Sequence, residues 1–156
     1  MALYSKQRAD PAFLRKRQMA YEIRIDRERK IVEVVVSGAA THEEHMAARA
    51  ATGKVLCESG YRRLLVDLRE LLTEGVISTL ACYEFGASYT QGGIPPDCKI
   101  AHVLPFDPVA LQDVHFTTTV GINRGNLIRE FSEVEEARGW LAGKGYVSKS
   151  PLAEAS

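Results

Sequence analysis

The sequence predicts a single α/β domain of element order ββαβαβαβα, with a mixed, mostly parallel sheet and helices mainly on one of its faces. Three observations carry that expectation. Near the start an alternating apolar–polar run is followed at once by a Val-rich one, short apolar runs of strand length recur further on, and the stretches between those later runs have helical spacing. At 156 residues the chain fits one domain that buries roughly 70% of its extended surface. A hydrophobic fraction of 46% with 26% charged residues is that of a globular rather than a disordered protein.

Residues 1–18 read as a basic, flexible N-terminal arm, in which Lys6, Arg8, Arg15, Lys16 and Arg17 face a single acid, Asp10. The domain proper is expected over 19–146, with a disordered tail over 147–156. From Tyr21 the pattern Tyr-Glu-Ile-Arg-Ile-Asp predicts a strand with one wet face. Charged residues 27–30 turn the chain into the Val-rich run at 31–38, and the two runs form a hairpin.

Thr41-His42-Glu43-Glu44 is a capping box, so a helix starts there. Met46, Ala47, Ala50, Ala51 and Val55 supply its apolar stripe, and Ser59-Gly60 its stop. A strand follows at 64–68. Val76, Ile77, Leu80, Ala81 and Phe85 recur at helical spacing up to the break at 91–96. Residues 99–104 are a strand, Asp107-Pro108 the N-cap and first position of a third helix, and 126–131 the last strand. Ser132-Glu133-Val134-Glu135 is a second capping box, opening a helix through Trp140 to Gly143. Right-handed crossovers make each strand after the first parallel to its neighbour.

Twenty Lys and Arg balance twenty Asp and Glu, which removes the net positive field that nucleic acid or an anionic membrane would attract. No apolar run reaches the ~20 residues of a membrane span, and the start lacks a secretory apolar region, so a cytoplasmic location is expected. Cys57, Cys82 and Cys98 are odd in number and form no C-x-x-C pair, which suits a reducing compartment.

No catalytic residue, metal or cofactor is expected. His42-Glu43-Glu44-His45 lacks a third ligand and reads as a solvated first helical turn, where acids suit the helix dipole. Ser78, His102 and Asp67 could meet at the strand ends, but no serine sits in a nucleophile elbow, and His102 on a strand reads as a hydrogen-bonded, semi-buried residue. Asp113 and His115, two apart on a helix, point to different sides. Gly92-Gly93 lies between a helix and a strand, the wrong side for a phosphate loop, and Gly121 and Gly125 read as a helix stop.

Ligands and partners of open parallel sheets gather beyond the carboxyl ends of the strands. The candidate binding residues are therefore Asp67, Arg69, Thr73, Ser78, Phe106 and Asp107. Arg69 either clamps an anionic group or pairs with Glu70 or Glu74. Phe106 is either an exposed anchor or a lid on the core.

The layout, the run Leu64-Leu65-Val66-Asp67-Leu68 and the ending Ile128-Arg129-Glu130-Phe131-Ser132-Glu133-Val134-Glu135-Glu136-Ala137-Arg138-Gly139-Trp140-Leu141 together resemble the SpoIIAA-like branch of the STAS superfamily, from about Tyr21 to Leu141. The resemblance implies a β–α superhelix, similar also to the CRAL-TRIO lipid carriers, and proteins that bind rather than catalyse. In signalling members the turn after the Asp-Leu strand carries an Asp-Ser-Ser-Gly segment with a phosphorylated serine. Residues 67–78 here contain no Ser-Ser-Gly; Thr73 is the nearest hydroxyl by position and Ser78 the nearest serine. An N-cap of the second helix accounts for Thr73 without phosphorylation.

Two functions are then expected. One is a non-enzymatic regulatory module acting through protein–protein contact. It is expected as a homodimer, because both parities of the Val-rich strand are apolar and one sheet face would otherwise lie bare. The other is a carrier of a small apolar ligand, in a cavity lined by Ile77, Leu80, Phe85, Val109 and Leu111. An enzyme would require His102 within hydrogen-bond reach of Ser78 or Thr73.

Overall fold

Alternating residues build β1 (Ala20–Asp26), and a charged turn returns the chain antiparallel as β2 (Ile31–Gly38). The Asp26 carboxylate accepts from the Arg29 amide inside that turn. The computed structural model describes residues 19–73 and 79–143. The arm, the tail, and the expectations for Ile77 and Ser78 lie outside the described residues.

From β2 the chain runs through α1 (His42–Ser59), β3 (Arg63–Leu71), α2 (Thr79–Ala87), β4 (Lys99–Val103), α3 (Pro108–Asn123), β5 (Leu127–Phe131) and α4 (Val134–Ala142). The five strands lie in the order β1-β2-β3-β4-β5, and every pair after the hairpin is parallel. This is the expected α/β order, with β1 at an edge.

The local signals mostly act as written. At Thr41 both halves of the capping box form, at 3.1 Å each, and Gly60 ends α1 in the left-handed conformation. Asp107 caps α3, its carboxylate accepting from the Ala110 amide at 2.9 Å, with Pro108 as first helical residue.

Three elements differ. α4 begins after Glu133, which makes no side-chain cap, so the box at Ser132 does not form; docking of Ala137 and Leu141 into the core sets where the helix starts. Regular α2 stops at Ala87, and residues 88–93 continue as turns, closed by Gly92 N–H to Ser88 O at 2.8 Å and Ile94 N–H to Tyr89 O at 3.0 Å. In α1 the buried residues are Ala48, Arg49, Thr52, Gly53 and Leu56; of the expected stripe of Met46, Ala47, Ala50, Ala51 and Val55, Val55 packs half-buried against the core while Ala47 and Ala50 are exposed. A Cβ at Gly53 would lie 2.2 Å from the Gly93 carbonyl oxygen. That contact turns the glycine side of the helix inward, and an alanine-rich side faces out.

The core has two parts, one on each sheet face. Val32, Val34 and Val36 of β2, with Leu64, Ile100 and Ile128, meet Leu56 of α1 and Ala110 and Val114 of α3. On the opposite face Ile31, Leu65, Ala101, Val103 and Phe131 meet Ala137 and Leu141 of α4. Helices thus lie mainly on one face, yet α4 covers the other. The bare apolar face from which a homodimer was expected is occupied by α4, because the odd-parity residues of β2 pack inside the chain.

Candidate functional site

Along β2 and β3, Val35 pairs with Asp67 but Ser37 pairs with Glu70, so β3 carries one extra residue there. Such a bulge re-aims the side chains that follow it. Asp67 shares the face of Leu65 under α4, whereas Leu71 turns back to the α1–α3 face.

Arg69 folds onto Asp67: Nε to Oδ1 is 3.0 Å, Nη2 to Oδ2 is 2.9 Å, and the Arg69 amide adds a bond of 3.2 Å to Oδ1. Its partner is therefore Asp67 rather than Glu70, since a two-residue step on a strand keeps both side chains on one face; Glu74 lies outside the described residues. Burial works to raise the Asp67 carboxyl, but the Arg69 hydrogen bonds and charge outweigh it and hold the group below its ordinary value. The Phe106 amide donates to Arg69 O at 3.2 Å, which ties the end of β4 to the end of β3. Phe106 itself is 70% exposed, between the buried Pro105 and the α3 cap at Asp107. It stands in solvent and is not a lid on the core.

Asp67, Arg69, Phe106 and Asp107 thus come together. Thr73 does not join them, and residues 74–78 that follow it lie outside the described residues. The Thr73 hydroxyl donates to Asp113 Oδ2 of α3 at 3.4 Å.

Thr73 and Asp113 belong to the wall of a cavity of 140 Å³ between the sheet and α1, α2 and α3. Of the five residues expected to line a ligand chamber, Phe85 does so. Leu80 and Val109 are 65% and 53% exposed, Leu111 is not in the wall, and Ile77 is outside the described residues. The missing walls come from α1 and from Val34, Val36, Leu64 and Leu68 of the sheet. His42 and His45 also line it, with their rings 6.3 and 5.7 Å from Phe85. Glu43 and Glu44 are exposed, as a solvated first turn requires, but the two histidines are half-buried, because Phe85 of α2 packs against the start of α1.

Deepest in this region is a chain of polar groups. His102 contacts the Tyr89 hydroxyl through Nε2 at 3.3 Å and the Thr118 hydroxyl through Nδ1 at 3.0 Å. Burial, helped by the charge of Arg49, pushes its pKa down to about 4, so the imidazole is neutral at pH 7. With both nitrogens engaged by hydroxyls other than Thr73, His102 is not placed as a catalytic base toward that residue. Asp113 and His115 do point apart, His115 pairing with Glu130 at 2.8 Å. Among the described residues no three His, Cys, Asp or Glu side chains converge as a metal site.

Arg49 was not anticipated. It is 6% exposed, its guanidinium lying 3.5 Å from the Phe85 ring centroid and 3.9 Å from that of Tyr89. Nη1 donates to Phe85 O at 2.6 Å and Ser88 Oγ at 3.4 Å, whereas Nη2 is buried and makes no hydrogen bond of good geometry. Burial brings its pKa down to about 10, opposed by Tyr89, so it stays charged at pH 7. The available signal was the run His45, Arg49, Thr52 and Leu56 at helical spacing, a polar stripe that competes with the more apolar one.

No family model matches the chain, and no curated protein does. Among solved structures it is similar to the crystal structure of an anti-sigma factor antagonist from Mycobacterium paratuberculosis, at 14% identity and a TM-score of 0.54, over 80% of this chain and 94% of that one. At that identity the likeness speaks to architecture alone. With its hairpin, parallel strands and divided helices, the chain has the fold of that anti-sigma factor antagonist, as its resemblance to the SpoIIAA-like STAS proteins implied.

Proposed function

We propose that the chain is a non-enzymatic regulatory module acting through protein–protein contact, with Phe106 as anchor and Arg69 and Asp107 at its rim. The exposure of Phe106 on a rigid frame carries this reading: an aromatic held out between a buried proline and a capped helix loses little freedom on binding. The fold supports it, since the solved neighbour is described as an antagonist of an anti-sigma factor, a protein named for its action on another. A photo-crosslinking amino acid at position 106, used in cells expressing the chain, tests it. One defined protein adduct is expected there and none from the exposed position Thr119; identical adducts at both positions would sink the reading.

The cavity favours a second reading, a carrier of a small ligand, because 140 Å³ walled largely by aliphatic side chains is space that a plain core would fill. Native mass spectrometry of the purified chain should then show bound mass, and a bare chain would count against it. Phosphorylation of Thr73 would set a dianion against Asp113 and break their hydrogen bond, so a modification there would act by disruption. Self-association would use a surface other than the α4-covered sheet face, and sedimentation at high micromolar concentration tests for it.

A further inference from the structure

A buried guanidinium is normally matched by a carboxylate, because taking it out of water costs several kcal/mol. Arg49 has no ion pair among the described residues. Its compensation is partial: two aromatic faces, one backbone carbonyl and the hydroxyls of Ser88 and Tyr89, with Nη2 buried and making no hydrogen bond of good geometry, in a residue that lines the cavity.

The surroundings hold the side chain in place. A Cβ at residue 92 would lie 2.6 Å from Arg49 Cδ, so glycine there leaves the room that the arginine stem occupies. Phe85 and Tyr89 sandwich the plane and fix its tilt. A planar fork with one arm satisfied and the other lacking a well-formed hydrogen bond is the geometry in which arginine takes a carboxylate oxygen. Among the described residues the only acid in the wall, Asp113, takes its hydrogen bond from Thr73.

The space sets the size of the guest. A chamber of 140 Å³ is close to the ~150 Å³ of an apolar cavity known to hold benzene. Val34, Val36, Leu64 and Leu68 give it a wall with no hydrogen-bonding side chain. A neutral hydrocarbon would fill the space but leave Nη2 unmatched; a phosphate or sulfate would match Nη2 but leave that wall uncovered.

We propose that this cavity binds a small monocarboxylate with an apolar body of about six carbons, the carboxylate accepting from Arg49 Nη2 and the body lying on the Val34–Val36–Leu64–Leu68 wall. The proposal rests on reading the cavity as a ligand chamber, and it names the guest.

Calorimetric titration of the full chain with benzoate and hexanoate, against benzyl alcohol and hexan-1-ol, separates the two levels. A carboxylate on a charged donor should bind at least about tenfold more tightly than its alcohol at pH 7. The substitution Arg49→Gln should abolish that preference while alcohol binding persists. Equal binding of acid and alcohol to the unaltered chain would overturn the role of Arg49 and leave the chamber standing, whereas no binding of any of the four would overturn both. The acid–alcohol comparison needs no variant, so it decides the matter even if Arg49→Gln fails to fold. With a folded variant, an acid preference that survives the substitution would also overturn it.

Discussion

On the face covered by α4, Ile31, Leu65, Ala101 and Val103 are essentially inaccessible and meet Ala137 and Leu141. On the face covered by α1, α2 and α3, packing stops short: a cavity remains, and an arginine, a histidine and a tyrosine are buried around it. Both faces begin from the same strands, whose alternate residues are about equally apolar. The difference arises in the helices. α4 offers the apolar Ala137 and Leu141 to the sheet, whereas α1 offers Leu56 together with Ala48, Arg49, Thr52 and Gly53. Filling a face stabilises; leaving it unfilled with charged groups inside costs stability and leaves room for a guest. The contrast teaches where each role sits: one face holds the fold together, and the other can be occupied.

The largest expected effect tests the filled face. Leu141→Ala should cost about 4 kcal/mol in urea unfolding, and Leu68→Ala on the cavity wall only about 2, because Leu68 already lacks neighbours on one side. Equal losses would break the contrast between the faces.

Next comes the pH response of the unfilled face. His102 is held neutral with a pKa of about 4, against 6.5 for a free imidazole. Between those values the unfolded chain binds the extra proton, so stability falls as pH drops from about 6.5 to about 4 and the His102 contribution levels off below that. The loss amounts to about 3 kcal/mol, and His102→Gln should flatten the slope in that window. A slope unchanged by the substitution would place the titration elsewhere.

The filled face carries a buried ion pair. Arg138 on α4 grips Glu33 of β2 with two bonds of 2.8 Å, and Glu33 is buried. Arg138→Met should cost about 2 kcal/mol by leaving that carboxylate unmatched, and adding Glu33→Leu should recover most of it. Here a charge has its partner inside the chain, unlike Arg49; failure to recover would remove that distinction.

The smallest expected effect belongs to neither face. Phe106→Ala should change stability by less than about 0.5 kcal/mol, since the ring stands in solvent, while removing about 2 kcal/mol of partner affinity. A large loss of stability would show that the ring serves the fold.

What the sequence makes legible follows from how local each cause is. The Thr41 box, the Asp107-Pro108 start and the Gly60 stop act within one helical turn, and the sheet order follows from short crossovers. The Arg69–Asp67 pair depends on strand parity, which a two-residue step on a strand makes legible. Phe106 was legible as a candidate and undecided between core and solvent, because that depends on whether Pro105 takes the buried position first. The cavity and Arg49 were not legible. Their cause is a close approach between Gly53 and the loop at Gly93, far apart in sequence, which rotates a polar stripe of α1 inward.

That approach also acts as a gauge of capacity. Where Gly53 meets the Gly93 carbonyl, helix and loop rest backbone on backbone, and even one added carbon at position 53 would force them apart. The distance between α1 and the segment that carries Tyr89 is thus set by a carbon that is missing rather than by one that packs. Gly53→Ala, if folded, would lift a wall of the chamber and resize it, so homologous chains of this fold could be tuned to larger guests at a position that no guest would touch.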